Sequence, residues 1–208
     1  PNDASLKVMS YKFAYYNGHD PQKSTELYPT TGSTDDWAYG ELGVPGFCFE
    51  VGDEFHQECS VFENEINPDN QQALLRAIKI ARKPYRLTYG PEVTGLSFQT
   101  NPVQPGQNLM VNYTADDTLY SNYYDDDYGY GPTSQSIDSI RYSFDKPSWI
   151  SGSGAKTIIL RTQVPKYTAT FAASTTGLTP GQHTLFVEAL DGGGNWGPPT
   201  AIFFTISG

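Results

Sequence analysis

The sequence predicts a chain in two parts. The first is the closing segment of an α/β domain over residues 1–88, and the second an all-β immunoglobulin/fibronectin-like sandwich over residues 89–208. Three observations predict this. Composition shifts near residue 90, from mixed segments to strands separated by Pro-Gly turns. One amphipathic helix is written into PDNQQALLRAIKIARKPY before the shift. Seven short β-patterned runs follow it.

The helix has clear punctuation. Asn67 suits an N-cap and Pro68 the first helical position, while Pro84 stops the run. Asp69 sits toward the positive end of the helix dipole and Arg76, Lys79, Arg82 and Lys83 toward the negative end. Leu74, Ile78 and Ala81 form an apolar stripe that Leu75 widens, so the stripe should cover either a sheet containing Phe47–Val51 or chain lying upstream. VPGFCFEV reads as a short buried strand introduced by a Pro-Gly turn. SYKFAYY, Ser10 to Tyr16, is expected to be a further short strand or an aromatic loop, and Asn17 to Asp36 mostly loop. One strand or two with a helix do not complete a covered sheet, hence the expectation that residues 1–88 end a larger domain whose upstream part has been removed.

The β-patterned runs start at Val93, Asn108, Ser136, Lys156, Tyr167, Gln182 and Thr200. Ile137 is out of phase with Ile140 and Tyr142, which predicts a bulge or a late strand start. HTLFVEAL puts Leu185, Val187 and Ala189 on one face. The connection from Asp116, DDTLYSNYYDDDYGYGPTS, is long for a hairpin. Its Asp125–Asp127 could bind Ca2+ through oxygen ligands or form a solvated loop, and its tyrosines could contact the preceding domain or a carbohydrate. Trp149 and Trp196 are read as packing residues rather than glycan contacts.

Bulk properties exclude several classes. A formal charge of −10 argues against a nucleic-acid partner. No apolar run is long enough for a membrane span. The acid-rich, tyrosine-rich composition is that of secreted, extracellular proteins. Two cysteines, Cys48 and Cys59, make either one short-loop disulfide bond or none.

Glu50 is the residue that asks for an explanation. An ionised carboxylate buried between Phe49 and Val51 is costly without a partner, so it either faces a cleft, where burial makes it a better proton shuttle, or is paired structurally. YPTTGSTDDWAYGELGVPGFCFEVG resembles the C-terminal active-site region of zinc metallocarboxypeptidases of the pancreatic A/B and bacterial T-like kind. Trp37 follows Tyr28 by nine residues and Glu50 follows Trp37 by thirteen. The resemblance covers residues 9–86, including the QECSVFENEINPDNQQALLRAIKIARKPY segment.

The resemblance implies the C-terminal part of a doubly wound α/β/α domain with a mixed sheet, and an enzyme that hydrolyses the last peptide bond with Zn2+. It implies Glu50 as the catalytic general base and acid, and Tyr28 as a mobile tyrosine capping the substrate C-terminus. Asp35 falls deep in the specificity pocket, where an acid favours C-terminal Lys or Arg. Thr30, Thr31, Gly32 and Ser33 fall on the pocket and loop, and Asp36 and Trp37 hold its shape. The family's HxxE metal ligands are not written in this sequence, and His19, His56 and His183 match none of its ligands. The zinc ligands are therefore expected in an absent upstream part, acting as a second chain or precursor segment, and this chain alone is expected to be inactive. A non-enzymatic binding fragment, its sandwich holding a cell surface or polymer, is the alternative.

Overall fold

A computed structural model describes the chain except Pro1, Thr30, Asp53, Asn122, Tyr123 and residues 126–128, and at 124, 125, 129 and 130 it describes the backbone alone. The chain divides into two compact units. One comprises Pro1–Thr88 with Tyr120–Pro132, and the other Tyr89–Leu119 with Thr133–Gly208.

The first unit is helical. Its helices are α1 (Asp3–Asn17), α2 (Ser24–Leu27), α3 (Thr34–Leu42), α4 (Cys59–Val61), α5 (Asn67–Ile80) and α6 (Pro84–Leu87), with a π-helical stretch, Phe62–Ile66, joining α4 to α5. The aromatic run Ser10–Tyr16 is thus helix, not strand or loop. Ser5, Met9 and Phe13 recur every four residues and are buried together on α1. That spacing outweighs the β-preference of the aromatics taken singly. Gly18 ends α1 at φ 68°, its N–H donating to the carbonyl of Ala14.

Helix α5 forms where the periodicity places it, but with a different start and a different buried face. Asn67 is helical (φ −66°, ψ −48°) rather than a cap, because the helical run continues from Cys59. The π-helical stretch ends two residues before Pro68, whose missing N–H interrupts the regular ladder. The buried residues of α5 are Asn70, Ala73, Arg76 and Ile80. Ala73 and Ile80 share an apolar cluster with Met9 and Phe13 of α1 and Leu87 of α6. The expected stripe of Leu74, Ile78 and Ala81, widened by Leu75, instead faces out, with Ile78 70% exposed.

Residues Tyr120–Pro132 belong to this helical unit. The backbone of β3 (Tyr124–Asp125) pairs with β4 (Gly129–Tyr130) in an antiparallel hairpin. Tyr120 is buried. Its ring meets those of Tyr15 and Tyr16 edge-on, at centroid separations of 5.2 and 6.0 Å. Lys12 Nζ stands 4.8 Å from the same ring centroid and the Arg76 guanidinium carbon 5.7 Å, so two buried cations flank one aromatic ring. Of the two readings left open for the tyrosines of the long connection, Tyr120 follows the packing one. Asp126 and Asp127, and the side chain of Asp125, lie outside the described residues.

The second unit holds the seven predicted strands in two open antiparallel sheets. β1 (Glu92–Phe98), β2 (Asn108–Asp116) and β7 (Lys166–Ser174) form one, in the order β1-β2-β7. β5 (Ile137–Phe144), β6 (Lys156–Ile159), β8 (Gly181–Asp191) and β9 (Thr200–Ile206) form the other, in the order β6-β5-β8-β9. The predicted irregularity is present as a register shift between Ile137 and Ser139. Both sheets supply one core, with Leu109, Val111 and Ala173 from the first and Ile140, Leu185 and Val187 from the second. Each fully buried Leu, Ile or Val contributes about 1.5–3 kcal/mol. Trp196 packs against the unit's own surface, where the Arg141 guanidinium lies 4.0 Å from its ring centroid and pairs with buried Glu188 at 2.9 Å. The architecture is a helical region followed by a sandwich-like β region.

Candidate active-site segment

The stretch around Glu50 is not a strand. A strand requires a ladder neighbour, and the strand pairing described in this unit is confined to β3 and β4. The side chains of the Glu50 stretch nonetheless alternate. Phe47 and Phe49 turn to one side and meet the Phe13 ring edge-on at 5.0 and 5.7 Å. Cys48 and Glu50 turn to the other side, both exposed. The Cys48 thiol donates to Glu50 Oε1 at 3.9 Å. Glu50 is therefore not the buried carboxylate expected from its apolar neighbours, because those neighbours are the anchors that present it outward.

Two glycines fix the ends of this presentation. Gly46 runs hard against α3: a Cβ there would stand 2.6 Å from both Cα and Cβ of Asp35. Gly52, at φ 80°, turns the chain beside Gln57, whose Oε1 accepts from the Glu54 N–H at 3.2 Å.

Asp35 belongs to the same neighbourhood. Partial burial pushes the Cys48 thiol up, and the charges of Glu50 and Asp35 push it further, which keeps it protonated at neutral pH. Ser24, the first residue of α2, donates through Oγ to Asp35 Oδ2 at 3.4 Å. The segment thus brings Ser24, Asp35, Cys48 and Glu50 together.

The other expected site residues have different positions. Ser33 is the N-cap of α3: its Oγ accepts from the Asp36 N–H at 3.3 Å, and its own N–H donates to Asp36 Oδ2 at 3.4 Å. This reciprocal pair satisfies helix-end donors and sets where Asp35 leaves the helix. The Ser-x-x-Asp spacing was the available signal for it. Tyr28 closes α2 in extended conformation with its side chain exposed. Trp37 is exposed. Thr30 lies outside the described residues.

The cysteines make no disulfide bond: Cys48 and Cys59 are free and exposed, the first turned toward Glu50 and the second opening α4. Among the described residues no group of three His, Cys, Asp or Glu could hold a metal ion. The described donor set of this chain therefore does not fit a zinc ion by itself. Among the described residues no helix is long and apolar enough to cross a membrane.

Residues 2–76 match the family model Peptidase_M14, zinc carboxypeptidase. No curated protein matches the chain. Among solved structures, wild-type OgpA from Akkermansia muciniphila is 12% identical, with a TM-score of 0.35 over 56% of this chain and 28% of that one. The PKD domain of an M14-like peptidase from Thermoplasmatales archaeon SCGC AB-540-F20 is 14% identical, with a TM-score of 0.27 over 57% of this chain and 94% of that domain. The chain spans little more than a quarter of the first of these proteins, 28% of its length. Over residues 2–76, the chain is zinc-carboxypeptidase-like in sequence.

Proposed function

We propose that this chain is the C-terminal portion of a secreted zinc-dependent metallocarboxypeptidase, followed by a fibronectin-like β-sandwich. One observation carries the reading. Within the stretch that matches the zinc carboxypeptidase family, two phenylalanines anchored on Phe13 hold Glu50 outward, in the neighbourhood of Asp35. In this reading Glu50 accepts a proton at its carboxylate and returns it to the leaving amine. Asp35 pairs with a cationic C-terminal side chain of the substrate, and Ser33 positions Asp35 by capping α3. Tyr28, exposed at the end of α2, hydrogen-bonds near the substrate carboxylate, and Thr30 is a further substrate-binding residue in this reading. The zinc ligands belong to an upstream portion of the domain.

Exposed apolar surface supports the need for that portion. Leu42, Val51, Phe55, Leu74, Leu75 and Ile78 are each more than half exposed in the helical unit. In the proposed whole domain, the missing part of the sheet and its neighbours cover them, and the Phe47–Glu50 stretch gains the ladder partner that makes it a strand.

The test is Glu50→Gln in the full-length protein, assayed on peptides ending in Lys, Arg and Leu with zinc content measured in parallel. Loss of nearly all turnover with zinc retained is expected. Retained turnover would remove Glu50 from proton transfer, and a full-length protein that cleaves none of these peptides would overturn the peptidase reading.

A further inference from the structure

His183 is used by none of the chemistry above, yet both of its ring nitrogens are committed. It lies near the start of β8 with its side chain 10% exposed. Nδ1 is 2.8 Å from Asp145 Oδ2, at the corner that follows β5. Nε2 is 2.8 Å from the Thr179 carbonyl oxygen, in the turn that precedes β8. Both partners are acceptors without a proton to give. A neutral imidazole carries one N–H and can donate to one of them; the imidazolium donates to both.

We propose that His183 is a charge-dependent clasp: its imidazolium ties the turn before β8 to the corner after β5, and deprotonation removes one of the two ties and loosens that end of the β unit. The corner is built to receive it. Asp145 sits in the left-handed region at φ 57°, which an Asp tolerates better than most side chains. Its Oδ1 accepts the Thr184 N–H at 2.9 Å, and its own N–H donates to the Thr184 carbonyl at 2.8 Å. Asp145 is thus fixed on β8 through both its backbone and its carboxylate before the imidazole arrives.

The groups around the ring favour the cation. The Thr179 carbonyl and the Asp145 carboxylate raise the imidazole above its ordinary value of 6.5, against the opposing effect of burial. On the β9 side the ring faces Phe204, at 5.6 Å between centroids, and β9 carries no charged residue. The Thr179 carbonyl contributes most to the shift, and Asp145 is the charged group that adds to it. With the folded value raised, the clasp is complete below the ordinary imidazole value and is lost as pH rises through the folded one.

The experiment uses the full chain. The His183 resonance, assigned with His183→Gln, is titrated by NMR, and protection of the Thr184 amide against hydrogen exchange is measured across the same pH range after correction for intrinsic rates. The expected results are an imidazole midpoint above the free value, lowered by Asp145→Asn, and protection that falls roughly tenfold as His183 deprotonates, the size of one charge-assisted hydrogen bond. In His183→Gln the pH-dependent step should vanish while the fold persists by circular dichroism. A midpoint at or below the free value, or the same step in the His183→Gln protein, would overturn the clasp. If that variant does not fold, the Asp145→Asn midpoint decides: an unmoved midpoint refutes it.

Discussion

The hydroxyls of Tyr16 and Tyr120 lie 2.9 Å apart, bonded across 104 residues of chain. Tyr16 belongs to α1, and Tyr120 opens the thirteen residues, Tyr120–Pro132, that join the helical unit from within the β-rich part of the sequence. Tyr120→Phe should remove one hydrogen bond and cost about 0.5–1.5 kcal/mol. Tyr120→Ala also removes the ring between Lys12 and Arg76 and should cost about 3–5 kcal/mol. Urea denaturation followed by a probe in α1 would read both. Equal losses for the two variants would mean that the ring contributes nothing beyond its hydroxyl.

Gly46 makes a second prediction. Its approach to the Asp35 backbone leaves no room for a methyl group. Gly46→Ala should push the Phe47–Glu50 stretch away from α3 and, in the full-length protein, lower kcat/KM at least tenfold. The control is Gly40→Ala, where open space surrounds the new Cβ. Similar activity of the two variants would show that the approach of Gly46 to Asp35 is not required.

The outward face of α5 separates this chain alone from the proposed whole domain. Ile78 is exposed in this chain, so Ile78→Lys should change its stability by less than about 0.5 kcal/mol. In the proposed whole domain the same substitution should cost about 2–5 kcal/mol, because the proposed upstream part would bury the side chain. Parallel denaturation curves settle the matter, and an unchanged full-length protein would contradict the proposed covering.

Acid should loosen the β unit through Asp116. Burial alone would raise its carboxyl, but hydrogen bonds from Lys166 and Thr118 and the Lys166 charge outweigh this and hold it below the ordinary 3.8. Lys166 Nζ stands 2.7 Å from Asp116 Oδ2. A depressed folded value means stabilisation that is present above pH 3.8 and lost as pH falls through the folded value. Asp116→Asn should thus be less stable than the unchanged chain near neutrality, with the gap closing in acid. Thermal midpoints measured across that window would show it, and a gap constant with pH would exclude the ion pair as its source.

The β unit was legible because its signals are local and its core is complete. Alternation at Leu185, Val187 and Ala189, and turns such as Pro180-Gly181, specify strands without outside help. The helical unit was legible only in part. The periodicity of α5 was right, but choosing which face is buried requires knowing what else is present. α1 buries the side of Ala73 and Ile80, and the larger side chains of Leu74 and Ile78 are left outward. The exposure of Glu50 was misread for a related reason. Period-two alternation in Phe-Cys-Phe-Glu was masked because cysteine counts as apolar, although here it lies on the same side as the acid. Nothing local in the sequence pointed Tyr120 at Tyr16, since their pairing is long-range.

That tyrosine pair also has a consequence for biosynthesis. A ribosome releases Tyr16 well before its partner; at roughly 5–20 residues per second, 104 residues take about 5–20 s. Throughout that delay the nascent α1 lacks the ring on which Lys12 and Tyr16 settle, so the order of translation, rather than the speed of helix formation, sets when this unit can finish folding.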